Sequence, residues 1–293
     1  MSILEVKELT KSYNGVLAAD HISFTLEEGT ATALIGPNGS GKTTTLAMIA
    51  GLLKETEGTM NRDFKSGVGF LPQYPQFFPW LTALEFTEMA AMISGIDGRK
   101  ARGQSMRALE FVGLGAAADK KTGAFSGGMK QRLGLAQAIV HQPKLLLLDE
   151  PVSSLDPTGR REIMNLLKSL QKDTTILYST HILNDAEEMT DQLLFLKQGK
   201  LVEQGSLAEV KNRYAEPKIR LRFETEAAAA TFESRMLWQM DRNRNIIELP
   251  LLENAPTIQQ VLEVLAHSGS GIAGVEKENA SLEEIFHKVV GAK

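Results

Sequence analysis

The sequence predicts an α/β fold with a mainly parallel sheet, an antiparallel β subdomain, a helical insertion and a small C-terminal α+β domain. Residues 3–35 alternate apolar with polar side chains in short runs, as antiparallel strands do. From residue 145 onward, short apolar runs alternate with helix-length segments, a pattern typical of a parallel sheet. The composition changes after Tyr214, and a chain of 293 residues is long enough for a main domain and a smaller one.

The composition excludes several classes of protein. With 43% apolar and 23% charged residues the chain is typical of globular proteins, and the absence of cysteine excludes disulfides, thiolate nucleophiles and cysteine-based metal sites. A net charge of −4 supplies no strong attraction to nucleic acid or anionic lipid, so no nucleic-acid partner is expected. No apolar run reaches the roughly 18 residues that span a bilayer. Residues 1–9 also lack the apolar centre of a secretion signal, so we expect a cytosolic protein.

The predicted elements follow in order along the chain. Glycine turns at residues 14–15 and 28–29 separate the antiparallel strands, and an uninterrupted apolar strand follows at 31–35. A glycine-rich turn then leads into a helix with Leu46, Ile49 and Leu53 at helical spacing. Residues 80–118 are predicted to be mainly helical, within a helical subdomain of about residues 80–140. Later strands are predicted at 145–148, 175–178 and 193–196, with helices at 160–170 and 184–189 between them.

The tail has its own pattern of strands and helices, after a joint at residues 215–217. We therefore expect one domain over residues 1–213 and an accessory domain over residues 214–293. The predicted tail elements are strands at 218–223, 246–251 and 272–275 and helices at 226–240, 257–266 and 282–290. Ser281 and Glu284 have the spacing of a capping box for the last helix.

A glycine-rich motif lies between the apolar strand at 31–35 and the helix that follows it. It matches the phosphate-binding pattern G-x-x-x-x-G-K-[ST], which predicts a P-loop NTPase core; a glycine turn with a chance Gly-Lys-Thr is the alternative. Glycines let backbone N–H groups surround a phosphate, and a helix N-terminus favours an anion. We expect Lys42 to bind the β- and γ-phosphates and Thr43 to bind Mg²⁺. The predicted ATP-binding residues of the loop are Gly36, Asn38, Gly39, Ser40, Gly41, Lys42 and Thr43.

The apolar strand at 145–148 ends in two carboxylates, Asp149 and Glu150. Parallel sheets bind ligands at this end of their strands. Asp149 is predicted to hold Mg²⁺, directly or through water, and Glu150 to deprotonate or polarise the water that attacks the γ-phosphate. The alternative is that the two carboxylates only cap the turn at Pro151.

Residues 126–128 (Ser-Gly-Gly), which we call the signature segment, begin a helix between the phosphate loop and the acidic strand. Gln73 lies between the loop and this segment, and residues 154–156 (Ser-Leu-Asp) and His181 come after the acidic strand. This ordered set resembles the ATP-binding-cassette (ABC) ATPases, the ATP-hydrolysing subunits of ABC transporters. The resemblance covers residues 1–213 and is carried by the order of the motifs, since a single Ser-Gly-Gly is only a helix start.

The resemblance implies a head-to-tail dimer with each ATP held between one chain's phosphate loop and the other chain's signature segment. Ser126, Gly127 and Gly128 would then bind the γ-phosphate in trans. Gln73 would contact Mg²⁺ and the attacking water, and His181 would contact the γ-phosphate. The further ATP contacts that the resemblance implies are Tyr13, Ser40, Thr44 and Asp156. Tyr13 would stack on adenine, although a tyrosine after a strand is also common in packing.

One residue departs from the family pattern. Met129 stands where Gln is commonest, and its thioether cannot donate a hydrogen bond. The backbone contacts of Gly127 and Gly128 do not depend on this side chain. With Glu150 and His181 both present, we expect a hydrolytically competent ATPase that uses ATP and Mg²⁺.

The resemblance also implies a membrane partner. An aromatic cluster (Tyr74, Phe77, Phe78 and Trp80) follows Gln73, at the position that faces the membrane subunit in the family. Core packing is an equal alternative for any one ring. Residues 275–286 resemble the end of exporter-type bacterial ATPases. We therefore expect a homodimer at the cytoplasmic face of a membrane that drives a separate permease for export. The alternative function is a soluble ABC-type ATPase acting on ribosomes or DNA, which is disfavoured because one phosphate loop and no sustained heptads are present.

Overall fold

The computed structural model describes residues 1–61, 67–153, 155–251, 255–268 and 271–291. The chain divides into two compact units: Met1–Leu207 with Lys288–Lys293, and Ala208–His287. None of the helices in the described ranges has the length and apolarity that crossing a bilayer would need.

The first unit contains two sheets and a helical subdomain. Its elements are β1 (Ser2–Tyr13), β2 (Val16–Glu27), β3 (Ala31–Ile35), α1 (Lys42–Ile49), β4 (Glu57–Met60), β5 (Val68–Leu71), α2 (Ala83–Ile93), α3 (Gly98–Phe111), α4 (Gly127–Ile139), β6 (Leu145–Asp149), α5 (Pro157–Leu170), β7 (Thr175–Thr180), α6 (Leu183–Met189), β8 (Gln192–Lys197) and β9 (Lys200–Ser206). Short 3-10 helices lie at Gly115–Ala117 and Thr122–Ala124.

The main sheet has six strands in the order β5-β6-β7-β3-β8-β9. All its pairings are parallel except that of β8 with β9. Every residue of β3, β6 and β7 is buried, which is why β3 and β6 read as mainly apolar runs rather than alternating ones. The predicted α/β core is confirmed, and the carboxyl ends of β3, β6 and β7 lie side by side.

The predicted antiparallel β subdomain is a three-stranded sheet in the order β2-β1-β4. Its strands β1 and β2 have 12 residues each, longer than the short runs seen in the sequence. They form one hairpin through the turn at Asn14 and Gly15, where both residues have positive φ. Register shifts interrupt the pairing at several points, which explains why the apolar alternation is broken although the strand continues.

The helical insertion is formed by α2, α3 and α4. Thr82 begins α2 with a capping box: the Glu85 N–H donates to Thr82 Oγ1, and the Thr82 N–H donates to Glu85 Oε2. Asp97 caps α3 through the Arg99 N–H, and Ser126 caps α4 through the Met129 N–H. The start of α4 at the signature segment agrees with the sequence prediction, whereas the separate starts of α2 and α3 were not predicted.

The elements from residue 207 onward form an α+β arrangement. They are α7 (Leu207–Arg213), β10 (Lys218–Phe223), α8 (Glu226–Arg235), β11 (Asp241–Asn243), β12 (Ile246–Pro250), α9 (Ile258–Ser268), β13 (Ile272–Glu278) and α10 (Leu282–Gly291). The sheet is antiparallel, in the order β11-β12-β10-β13. The capping box at Ser281 and Glu284 is confirmed by hydrogen bonds of 2.8 and 3.2 Å. The helix predicted at 226–240 ends at Arg235, and the strand β11 that follows was not predicted.

The two faces of β10 explain how this sheet is stabilised. Ile219, Leu221 and Phe223 are buried in an apolar core on one face. On the other face, Lys218 Nζ lies 2.7 Å from carboxylate oxygens of both Glu248 and Glu284. One face is therefore held by apolar packing and the other by charged pairs, as the alternating sequence requires.

Candidate active site

The phosphate loop connects β3 to α1 and is shaped by its glycines. Gly39 and Gly41 have φ values of 78° and 100°, a region that favours glycine. A Cβ atom on Gly41 would collide with the carbonyl oxygen of Ala18, so this position requires glycine for a second reason. Asn38 and Gly39 are exposed at the tip of the loop. The loop therefore presents its backbone outward at the N-terminus of α1, which suits an anion.

Lys42 is buried beneath this loop, with only 6% of its surface exposed. Its Nζ donates to the carbonyl oxygens of Gly36 and Pro37 at 2.7 and 3.3 Å. Burial lowers the pKa of the Lys42 amine, and the charges of Glu150 and Asp149 act in the opposite direction. The protein thus holds a cation directly under a loop that is shaped to bind phosphate.

Glu150 has an unusual backbone conformation at the carboxyl end of β6. Its φ is 48°, a left-handed value that is unfavourable for a residue with a Cβ. The Glu150 N–H donates to Ser179 Oγ at 2.9 Å, and Ser179 Oγ donates to Asp149 Oδ1 at 2.6 Å. Ser179 lies beside Asp149 because β6 and β7 are parallel neighbours. One buried hydroxyl therefore fixes both carboxylate residues.

The Glu150 carboxylate lies between two groups that can carry positive charge. Its Oε1 is 3.7 Å from Lys42 Nζ, and its Oε2 forms a 2.7 Å hydrogen bond with His181 Nδ1. The carboxylate is almost fully buried, whereas the His181 side chain is half exposed. Such a carboxylate is oriented by its neighbours and can accept a proton from a water molecule.

Most of the predicted loop residues line one cavity of about 300 Å³. Its lining residues are Ala18, Asn38, Gly39, Ser40, Gly41, Lys42, Thr43, Thr44, Gln73 and Glu150. The cavity brings together the loop and Gln73, which lies 30 positions after Thr43 in the sequence. Asp149 is not a lining residue; it is buried and accepts a hydrogen bond from Ser179 Oγ.

The donor groups around the cavity suit Mg²⁺ bound together with a nucleotide. Thr43 offers a hydroxyl, Gln73 an amide oxygen and Asp149 a carboxylate, and Mg²⁺ prefers oxygen ligands completed by water and substrate phosphates. The Ser40 hydroxyl is buried and has no hydrogen-bond partner within the described part of the chain, so it can contact a phosphate. Among the described residues, no group of three or more His, Cys, Asp or Glu side chains is arranged to hold a metal ion by itself.

The other predicted site residues do not line this cavity. The signature segment lies at the N-terminus of α4, with Ser126 and Gly127 exposed and open space around Gly127. Asp156 begins α5 and accepts a hydrogen bond from the Gly159 N–H at 2.9 Å. Ser154, which belongs to the same predicted motif, lies outside the described residues.

Tyr13 is half exposed at the end of β1. Lys11 Nζ lies 5.2 Å from the centroid of its ring and donates to the Lys54 carbonyl oxygen at 2.8 Å. This ammonium group supports one side of the ring as a cation–π contact. An exposed aromatic ring of this kind can stack on a purine base.

The aromatic cluster after Gln73 is partly packed and partly exposed. Phe77 packs edge-on against Phe86 of α2, with ring centroids 5.0 Å apart. Tyr74 and Trp80 are 66% and 65% exposed, and Phe78 is 44% exposed. The cluster therefore contributes to the core of the helical subdomain through Phe77 and presents three rings at the surface.

Sequence reasoning missed Ser179, which orients both acidic residues. A polar residue near the end of an apolar strand was the available signal. That signal was insufficient because the sequence does not show which strand lies beside β6.

Comparison with known families identifies both parts of the chain. Residues 19–153 match the family described as ABC transporter, and residues 205–290 match the DrrA1-3-like C-terminal domain of ATP-binding proteins. The chain is 40% identical to the uncharacterized ABC transporter ATP-binding protein YxlF of Bacillus subtilis, over 99% of this chain and 100% of that protein. It is 37% identical to the bacitracin transport ATP-binding protein BcrA of Bacillus licheniformis, over 72% of each chain.

A solved structure supports the same relationship. The dimeric post-hydrolysis state of the ATP-binding cassette MJ0796, bound to ADP and Pi, superposes with a TM-score of 0.64 at 29% identity. The match covers 70% of this chain and 99% of that one.

Proposed function

Because this chain belongs to the ABC transporter ATP-binding proteins, we propose that it forms a head-to-tail homodimer that hydrolyses ATP with Mg²⁺ and drives a separate membrane permease. The observation that carries the catalytic part is the position of Glu150, between Lys42 and His181 and at the wall of the phosphate-loop cavity. The chain is an ATPase, and its site has the groups that this reaction needs.

The proposed roles follow from the geometry of one chain. Lys42 and the loop N–H groups bind the phosphates, and the Ser40 and Thr44 hydroxyls add contacts. Thr43, Gln73 and Asp149 would hold Mg²⁺, which would neutralise phosphate charge and polarise the γ-phosphate. Glu150 accepts a proton from the attacking water, and His181 fixes the orientation of the Glu150 carboxylate.

A composite site, built from residues of both chains of the dimer, accounts for the predicted residues outside the cavity. Gly127 and Gly128 begin α4 without Cβ atoms, so their N–H groups can approach an anion closely. In a head-to-tail dimer this end of α4 would contact the γ-phosphate bound by the partner. Asp156 would lie between the two sites and Tyr13 would stack on adenine. The dimeric cassette to which the chain is similar supports this arrangement.

We assign the ATPase domain to residues 1–213, with its helical subdomain at about residues 80–140, and the accessory domain to residues 214–293. The two compact units and the two matched families support a boundary in this region. The DrrA1-3-like match and the similarity to BcrA, named for bacitracin transport, support a role in export. The permease would contact the rings of Tyr74, Phe78 and Trp80, whose exposure supports such a contact, and the protein would then lie at the cytoplasmic face of a membrane.

The experiment is affinity purification from cells that produce the tagged chain. After membranes are solubilised in mild detergent, we expect a membrane protein to copurify with the wild-type chain. Replacing Tyr74 and Trp80 together by alanine should reduce its recovery at least fivefold. Leu237→Ala removes a different exposed apolar side chain and serves as the control. Recovery of the chain with ribosomes or DNA, and not with membranes, would contradict the proposal.

A further inference from the structure

Gln131 of α4 makes a hydrogen bond to the segment that carries Glu150. Its side chain is buried, with 5% of its surface exposed, and its Nε2 donates to the Pro151 carbonyl oxygen at 2.8 Å. Pro151 directly follows Glu150 in the sequence. Since the bond is buried, removing the donor would leave the carbonyl oxygen without a partner, which is costly.

This bond fixes the backbone directly after Glu150, a residue with a strained conformation. The left-handed φ of Glu150 persists only where surrounding interactions fix it. Upstream, the Glu150 N–H is fixed by Ser179 Oγ. Downstream, the Ser153 N–H donates to the Glu150 carbonyl oxygen at 3.2 Å, and Gln131 holds the next carbonyl group, that of Pro151. Two members of this set come from other parts of the chain: Ser179 from the strand β7 and Gln131 from the helix α4.

The same helix also packs closely on the segment around Gln73. A Cβ atom on Gly134 would lie 2.6 Å from Leu71 Cδ1 and 3.1 Å from Pro75 Cβ. Leu71 and Pro75 flank Gln73 by two residues on either side. One helix therefore contacts the segments that carry both Gln73 and Glu150.

The N-terminus of this helix is the signature segment. Gln131 is five residues from Ser126, or about 7.5 Å along a helix that rises about 1.5 Å per residue. A helix moves as a rigid element over so short a distance. A displacement of the signature segment would therefore also move the side chain that holds the Glu150 backbone.

We propose that Gln131 is a positioning residue for Glu150 and that it couples two events. These are the contact of α4 with the ATP bound by the partner and the orientation of Glu150 in its own chain. The second half rests on the proposed head-to-tail dimer. The first half concerns a bond within one chain and does not depend on dimerisation.

The first test is Gln131→Met, which keeps most of the side-chain volume and removes the donor. We expect kcat for ATP hydrolysis to fall about tenfold, since small displacements of a catalytic group are costly, while KM and ATP affinity change less than twofold. The matched control is Gln137→Met on the same helix. The Gln137 side chain is partly buried and forms no hydrogen bond within the described part of the chain, so wild-type activity is expected.

The second test separates the two ends of α4 by using mixed dimers. One chain carries Glu150→Gln and the other keeps Glu150, with different affinity tags, so that only one site is active. Gln131→Met is then placed on either chain. If it acts on its own Glu150, kcat falls at least fivefold more when it is on the chain with intact Glu150. If Gln131 only supports the signature segment, kcat falls more when Gln131→Met is on the chain that carries Glu150→Gln. That result overturns the proposal.

Other outcomes are equally decisive. An unchanged kcat in folded Gln131→Met, or equal falls for both placements, overturns the proposal. If thermal melting shows that Gln131→Met does not fold, Gln131→Asn replaces it, because the shorter amide cannot reach Pro151. If mixed dimers do not form with ATP, the proposed dimer fails. The kcat of the Gln131→Met protein in the first test still decides the role of Gln131.

Discussion

His181 Nδ1 lies 2.7 Å from Oε2 of Glu150, while Oε1 of the same carboxylate faces Lys42 Nζ at 3.7 Å. The two oxygens of Glu150 are therefore held by residues from two different strand ends, β3 through the phosphate loop and β7 through the histidine. The carboxylate has one orientation relative to the phosphate loop. In the proposed mechanism, a base in this position would act on a water molecule next to a phosphate.

Glu150→Gln is expected to bind ATP and to hydrolyse it at least about 100-fold more slowly, because the amide cannot accept the proton. The isosteric side chain keeps its contacts, so the variant should accumulate as an ATP-bound dimer. Steady-state hydrolysis and size-exclusion chromatography with ATP measure the two effects. Normal turnover would show that Glu150 is not the base.

Lys42→Ala is expected to abolish nucleotide binding at millimolar ATP, because it removes the cation buried under the loop. Binding can be followed with a fluorescent ATP analogue. Lys168→Ala, which removes an exposed lysine of α5, is the control for net charge. An affinity like that of the wild type in Lys42→Ala would refute the assignment of the loop.

Ser179→Ala is expected to lower both stability and kcat. The Ser179 hydroxyl is fully buried, accepts a hydrogen bond from the Glu150 N–H and donates one to the Asp149 carboxylate. Its loss should therefore cost about 1–3 kcal/mol of unfolding free energy. Urea unfolding and hydrolysis assays test this. Ser169→Ala removes a hydroxyl that donates to the Leu166 carbonyl oxygen on an exposed helix face, and it should change neither quantity appreciably.

The composite site predicts that the hydrolysis rate rises more than linearly with protein concentration, because each site needs two chains. Rates should be measured over a range that spans the dimer dissociation constant. A rate strictly proportional to concentration, at dilutions where the protein is monomeric, would contradict composite sites.

Tyr178 provides a prediction about alkaline pH. Its phenol is buried and bonded to Thr190 Oγ1 at 2.6 Å, and burial raises its pKa. The unfolded phenol ionises near pH 10, so above this pH the unfolded chain binds fewer protons and the protein loses stability, by up to about 1.4 kcal/mol per pH unit. Tyr178→Phe should cost about 1 kcal/mol at pH 8. This difference should shrink by pH 11, and a constant difference in urea unfolding would be the contrary result.

The sequence predicted the parts of the site that are local. The phosphate loop is a run of consecutive residues between a strand and a helix, so its chemistry and its structural context are both visible. Ser281 with Glu284 was predictable for the same reason. Ser179 and Gln131 were not, because their roles depend on which strand lies beside β6 and on where α4 packs.

Two features of the fold were missed for physical reasons as well. Strand β11 has three exposed residues and so carries no apolar signal, which let the preceding helix be predicted too long. Strands β1 and β2 were predicted too short because register shifts disturb their alternation. In both cases the information lay in strand pairing rather than in the periodicity of one segment.

The order of the main sheet has a consequence for synthesis of the chain. Strand β3, which carries the phosphate loop, acquires its neighbours only when β7 and β8 exist: Ala31 pairs with Ile176 and Thr32 with Gln192. A nascent polypeptide that ends after α4 contains the whole loop motif without the strands that flank it. Such non-local pairing is slow to form. ATP is therefore expected to stabilise the nascent chain only after residue 197 has left the ribosome, too late to guide the folding of the first half.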